Sequence, residues 1–237
     1  METYQEFLDR INSFEKAPTN FGNEYFMGNP SISQKVGSDN SFKKFYGDTV
    51  VFALDDTIKR TLAECVDLLY QTAPKCFCQK LSPNTFHVTL HDLSNSAILQ
   101  NVEKELLENK RKIIAKSGEV QRHANEKIKM KSNSVFNMVD TSLVLGLYPA
   151  SENDYCRIME LYALFDDVKK LNYPFTPHIT LAYYNVNGFD LQSAKDLENI
   201  VKQLNANDME IELEVKNLYY QQFKSMNDYF NIVKLAK

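Results

Sequence analysis

Cysteine is scarce in these 237 residues: Cys65, Cys76, Cys78 and Cys156 are too few for a disulfide framework, so reduced and mostly buried thiols are expected. Cys76-x-Cys78 lacks the second pair that a zinc site of that spacing needs. No apolar run approaches the ~20 residues of a membrane span. The opening stretch Met1-Glu2-Thr3-Tyr4-Gln5-Glu6 has neither the basic nor the apolar region of a signal peptide. A cytoplasmic protein with no membrane partner is the expectation. Basic residues are outnumbered, 27 Lys and Arg against 31 Asp and Glu. That balance argues against long duplex nucleic acid as a partner, because such binding depends on Lys and Arg replacing condensed counterions. A small nucleotide stays open, since the field in a cleft comes from its own lining.

Histidine is as scarce as cysteine, with four residues, yet two of them share one context. Phe86-His87-Val88-Thr89-Leu90 and Pro177-His178-Ile179-Thr180-Leu181 each place H-x-T-L between apolar residues. Either alone is weak as a motif; the pair is a strong signal.

The surrounding pattern repeats as well. Thr49 to Leu54 is β-branched and apolar, Asp55-Asp56-Thr57 can cap a helix, and Ile58, Leu62, Cys65, Val66 and Leu69 form one helical stripe that Pro74 ends. Cys76 to Leu81 reads as extended, before the first motif. In the second unit Ser142 to Leu147 is a strand, Asp154 to Leu171 a helix, and Asn172-Tyr173-Pro174 a break before the second motif. Two β-α-β lobes on one plan follow. A charged helix is expected from Ser96 to Lys131, another from Leu191 to Leu204, and two closing strands, Met209 to Phe223 and Tyr229 to Leu235. Ahead of the lobes lie an amphipathic helix over residues 2–15 and an irregular Gly-, Asn- and Ser-rich segment from Ala17 to Ser41, carrying Phe21, Tyr25 and Phe26. Such a segment is a strap or a lid.

Strand alternation puts His87, Thr89 and His91 on one face, opposite Phe86, Val88 and Leu90. The same count leaves His178, Thr180, Ala182 and Tyr184 opposite Ile179, Leu181 and Tyr183. If the lobes pack about a pseudo-two-fold axis, two His-Thr pairs meet in one cleft. Phosphate suits that cleft: each Thr hydroxyl can donate to a non-bridging oxygen, and each imidazole can give or take a proton on opposite sides of phosphorus. His91 and Tyr184 are candidate substrate contacts, Tyr184 as a stacking platform for a base. Lys80 and Lys216 are candidate phosphate partners, and Tyr219, Tyr220 and Phe223 candidate cleft borders. His123 reads as solvated surface.

The paired motifs, each on a strand after a β-α unit, closely resemble the 2H phosphoesterase superfamily, which includes RNA 2′,3′-cyclic phosphodiesterases once called 2′-5′ RNA ligases. The resemblance covers about Phe45 to Lys237. It implies an α+β fold in which two pseudo-two-fold-related lobes with antiparallel sheets surround a central cleft. It also implies metal-independent cleavage, without a cofactor, of a phosphodiester at a ribose 2′-oxygen. By position, His87 and His178 would be the acid-base pair and Thr89 and Thr180 the phosphate-holding hydroxyls. Ala182-Tyr183-Tyr184 follows the second motif where many of the RNA-processing branch carry an arginine. Residues 1–44 form the expected N-terminal strap or lid and 45–237 the bilobal domain, with lobes of about 45–134 and 135–237 and strand exchange between them left open. A monomer acting on a small nucleotide or oligonucleotide is expected. The alternatives are a nucleotide sensor that uses the same cleft without cleaving, and a scaffold that holds a protein partner.

Overall fold

The computed structural model describes residues 2–15, 19, 21 and 24–237. Part of the stretch read as irregular, including Ala17, lies outside them.

Strands β1 (Tyr46–Ala53), β2 (His87–Ser96), β7 (Leu218–Ser225) and β8 (Asp228–Lys234) form one antiparallel sheet in the order β2-β1-β7-β8. Strands β3 (Lys127–Met138), β4 (Ser142–Pro149), β5 (His178–Tyr183) and β6 (Glu210–Glu214) form the other, in the order β5-β4-β3-β6. Each motif therefore lies on a strand at the end of its sheet's order, and β2 and β5 lie against one another. This is the expected bilobal α+β architecture with antiparallel sheets. The C-terminal hairpin of β7 and β8 returns to the first sheet, so the lobes are not simple halves of the chain.

Helix α2 (Asp56–Thr72) starts where the Asp55 carboxylate accepts the Ile58 amide, and it hides Leu62, Val66 and Leu69. Full burial of each such side chain contributes about 1.5–3 kcal/mol. Its second-lobe counterpart α4 (Glu152–Ala163) starts on the Ser151 hydroxyl and is shorter than the periodicity predicts. Past Ala163 the chain tightens into successive i−3 turns, Leu164 to Leu161 and Phe165 to Tyr162, which keep Phe165 and Val168 buried at helix-like spacing.

Three other boundaries differ from the sequence pattern. The charged helix α3 (Leu99–Gln121) stops early, because Ile128 and Met130 alternate with Lys127, Lys129 and Lys131 in β3. The run from Met209 to Phe223 is two strands in different sheets, parted by a 3₁₀ turn at Val215–Asn217 where the chain crosses between lobes. Of the run from Cys76 to Leu81 read as extended, Cys76 instead closes a 3₁₀ turn (Pro74–Cys76), and Phe77 makes an isolated bridge to Tyr184. Burial pushes the Cys76 and Cys78 thiols up to about 12, as expected of structural cysteines.

The N-terminal segment is fastened to both lobes. Helix α1 (Tyr4–Asn12) buries Phe7 and Ile11, its Tyr4 hydroxyl donates to the Pro149 carbonyl, and its Arg10 donates to the Phe175 carbonyl and the Thr176 hydroxyl. Phe26 and Phe189 exchange backbone hydrogen bonds, a close approach that needs Gly188 at φ 76, where a side chain would meet the Phe26 carbonyl. A 3₁₀ turn at Pro30–Gln34 then leads into the first lobe.

Candidate active site

His87, Thr89, His178 and Thr180 line one cleft of 640 Å³ between the lobes. Both histidines are half-buried and held the same way. Nδ1 of His87 lies 2.7 Å from the Thr85 carbonyl, and Nδ1 of His178 lies 2.7 Å from the Thr176 carbonyl. A carbonyl oxygen can only accept, so each Nδ1 carries the hydrogen and each Nε2 of the neutral ring is left with a lone pair able to accept a proton. Burial pulls His87 down to about 4, against the Thr85 bond, which favours the charged ring; the neighbouring His178 lowers it further. Burial lowers His178 too, opposed by its Thr176 bond and by Asp92, while Lys35 adds to the lowering. The rings are thus neutral near pH 7.

The repeated spelling is longer than H-x-T-L. Thr85-Phe86-His87 and Thr176-Pro177-His178 share T-x-H, and the shared threonines supply the two orienting carbonyls. That extension was readable in the sequence, although its purpose needs the hydrogen bonds. Tyr229 of β8 packs on the His87 ring with centroids 5.2 Å apart, so the C-terminal hairpin steadies the first histidine. Arg10, bonded to Phe175 and Thr176, steadies the loop before the second.

His91 and Tyr184 do not face the cleft, contrary to strict alternation. Val50 pairs with His91 while Val51 pairs with Thr89, leaving Leu90 as an extra residue; Leu143 pairs with Ala182 while Val144 pairs with Thr180, leaving Leu181 extra. Each motif therefore carries a β-bulge at the same place, and the bulge inverts the face of everything after it. Asp92 and Tyr183 take the cleft positions. His91 is 1% exposed and stacks on Tyr162 with centroids 4.8 Å apart. Tyr184 is buried among Phe21, Phe26, Phe77 and Phe189. Among the described residues its hydroxyl has no hydrogen-bond partner, so Tyr184→Phe is expected to leave turnover unchanged and to raise stability by up to about 1 kcal/mol. Thermal melting checks this; a base-stacking role would instead show as a raised KM in Tyr184→Ala at unchanged melting temperature.

Lys80 pairs with Asp67 and Lys216 with Glu214, and neither lines the cleft. Tyr220 is buried on the Asp48 carboxylate; of the three C-terminal aromatic candidates only Phe223 borders the cleft. Among the described residues lining the cleft, Lys35 is the one lysine or arginine and Asp92 the one carboxylate. Asp92 accepts a 2.9 Å hydrogen bond from the Tyr173 hydroxyl, which ties the second-lobe loop to the first-lobe strand. His123 bonds Glu126 away from the cleft, as its polar surroundings suggest. No helix among the described residues is long and apolar enough to cross a membrane.

The two-sheet fold around this cleft is shared with a solved structure, the conserved protein of unknown function ATU0111 from Agrobacterium tumefaciens str. C58. The two align with a TM-score of 0.67 at 13% identity over 88% of this chain and 94% of that one. Looser likenesses include Escherichia coli LigT in its apo form, with a TM-score of 0.43 at 12% identity over 81% of this chain and 96% of that one. LigT complexed with 3′-AMP gives 0.43 at 11% identity over 80% and 97%. At 13% identity the likeness to ATU0111 speaks to fold alone. No family model and no curated protein matches the chain.

Proposed function

We propose that the protein is a 2H-type phosphoesterase: a phosphodiesterase that cleaves at a ribose 2′-oxygen of a small nucleotide or an oligonucleotide end, by acid-base catalysis between His87 and His178. The observation that carries this reading is the matched pair of 2.7 Å Nδ1 contacts to carbonyls two residues upstream, which leaves two Nε2 atoms for one cleft. In the step proposed, one neutral Nε2 takes a proton from the attacking water or neighbouring hydroxyl as its oxygen bonds phosphorus. The bond from phosphorus to the departing ribose oxygen breaks, and that oxygen takes the proton from the other, protonated Nε2. Thr89 and Thr180 donate to the non-bridging oxygens, holding the group for in-line displacement. After each turnover the rings have exchanged protonation states and are reset by solvent. Metal ions have no part in this scheme.

The pH profile tests it. One ring must be neutral and the other charged, so kcat/KM is bell-shaped, with its acid limb near His87 at about 4 and its alkaline limb below the ordinary 6.5, where the lowered His178 loses its proton. The same limbs hold whichever ring is the base. A bound phosphate anion favours protonated imidazole, so the kcat profile moves to higher pH. Initial rates on a 2′,3′-cyclic nucleotide from pH 3.5 to 8.5 in EDTA check this. A rate that climbs steadily through pH 8 contradicts it.

A further inference from the structure

Lys35 lies on the N-terminal segment, outside the repeated lobes, yet it lines the cleft that holds both histidines. Its ammonium stands 5.3 Å from the ring centroid of Phe45 and 5.3 Å from that of Tyr183. Aromatic faces attract the charge but accept none of its three N–H donors in the way an oxygen does. Among the described residues Lys35 has no carboxylate partner, and its Nζ donates to no protein acceptor. Lys80 and Lys116, by contrast, are each paired with a carboxylate.

The backbone that carries Lys35 is fixed. Its amide donates to the Ile32 carbonyl at 2.9 Å, its carbonyl accepts the Lys43 amide at 2.9 Å, and the buried Ile32 and Val36 anchor it on both sides. Tyr183, one face of the platform, reaches the cleft only because of the second bulge. The charge also lies close enough to His178 to disfavour that ring's protonation. A preorganised cation with unused donors, beside two threonine hydroxyls and two imidazole Nε2 atoms, is what a phosphoryl oxygen needs.

We propose that Lys35 is the phosphate-binding cation of this cleft, so that the N-terminal segment supplies part of the binding site rather than only a brace. The proposal rests on the phosphoesterase reading and adds a residue that the repeated motifs do not contain.

Inorganic phosphate is the probe, titrated into the full chain while the imidazole NMR signals of His87 and His178 are followed. In the unsubstituted protein both signals shift and saturate. Lys35→Met keeps the aliphatic stem against the two rings and removes the charge, and is expected to weaken phosphate binding by about 10- to 100-fold, the usual scale for a charge-assisted hydrogen bond. Lys35→Arg restores most of it. A brace alone would lower the melting temperature of Lys35→Met and leave the phosphate affinity of the folded fraction unchanged, which overturns the proposal while leaving the phosphoesterase reading in place. Histidine signals that ignore phosphate in the unsubstituted protein overturn both. If Lys35→Met does not fold, Lys35→Gln carries the same comparison against Lys35→Arg.

Discussion

His87→Ala and His178→Ala are each expected to lower turnover of a 2′,3′-cyclic nucleotide by about 10²–10⁴-fold in EDTA, with the fold intact. The two losses should not add. Once one ring is gone, the proton it handled has no carrier, and removing its partner takes away little more, so the double variant should resemble either single one. Structure should survive because the rings are half-buried at a cleft wall, and removing one strands only the Thr85 or Thr176 carbonyl, which solvent in the cleft can satisfy. Gln in place of either histidine keeps a polar side chain but cannot cycle a proton near neutrality, and is expected to be as inactive as Ala. Steady-state rates with circular dichroism of each variant check this; substantial activity in either single variant contradicts a two-histidine mechanism.

The largest effect on stability is expected away from the cleft, at Asp48. This carboxylate is 2% exposed and accepts from the Ser94 amide at 2.8 Å, the Asn109 side-chain amide at 3.1 Å and the Tyr220 hydroxyl at 2.9 Å. It ties β1, β2, α3 and β7 together. Asp48→Ala strands those donors, and a loss of about 3–5 kcal/mol is expected. The group also leaves a pH signature. Burial pushes its pKa up from 3.8 to about 6, with the three hydrogen bonds opposing. The folded protein therefore holds this proton more tightly than the unfolded chain. Its stabilising contribution is complete below about 3.8 and is lost as pH rises through about 6, a span of roughly two units or about 3 kcal/mol. His87 and His178, lowered in the fold, act with the opposite sign: their contribution is present above 6.5 and falls away as pH drops through the folded values. Urea unfolding from pH 3.5 to 7.5, compared with Asp48→Asn, isolates the carboxylate. The difference between the two proteins should change with pH across 3.8 to 6 and be flat above 7.

The sequence made the lobes and their His-Thr pairs legible because those signals are local: apolar spacing in α2, capping residues before α2 and α4, and a motif spelled twice. Strict alternation puts His91 and Tyr184 on the wrong face for a reason no periodicity contains. A bulge is a property of two paired strands, and Leu90 and Leu181 look like ordinary strand residues until Val50-Val51 and Leu143-Val144 are seen to skip them. Lys35 is not legible in the sequence because its irregular segment has no repeat that fixes its path. Its place in the cleft depends on a 3₁₀ turn and on contacts with Phe45 and Tyr183, residues from two different lobes. The helix read through Lys131 failed differently. Lysines at every second position give that stretch the look of a charged run, although Ile128 and Met130 between them have the period of a strand.

The cleft is proposed to break a phosphodiester at a ribose 2′-oxygen. The most direct test is chromatography of 2′,3′-cyclic nucleotides and 2′-5′-linked oligonucleotides after incubation with the purified protein in EDTA. At least one product carrying a new terminal phosphate is expected, formed catalytically and absent with His87→Ala. Full recovery of every compound unchanged, from samples in which calorimetry detects binding, would contradict it and leave a nucleotide sensor in its place.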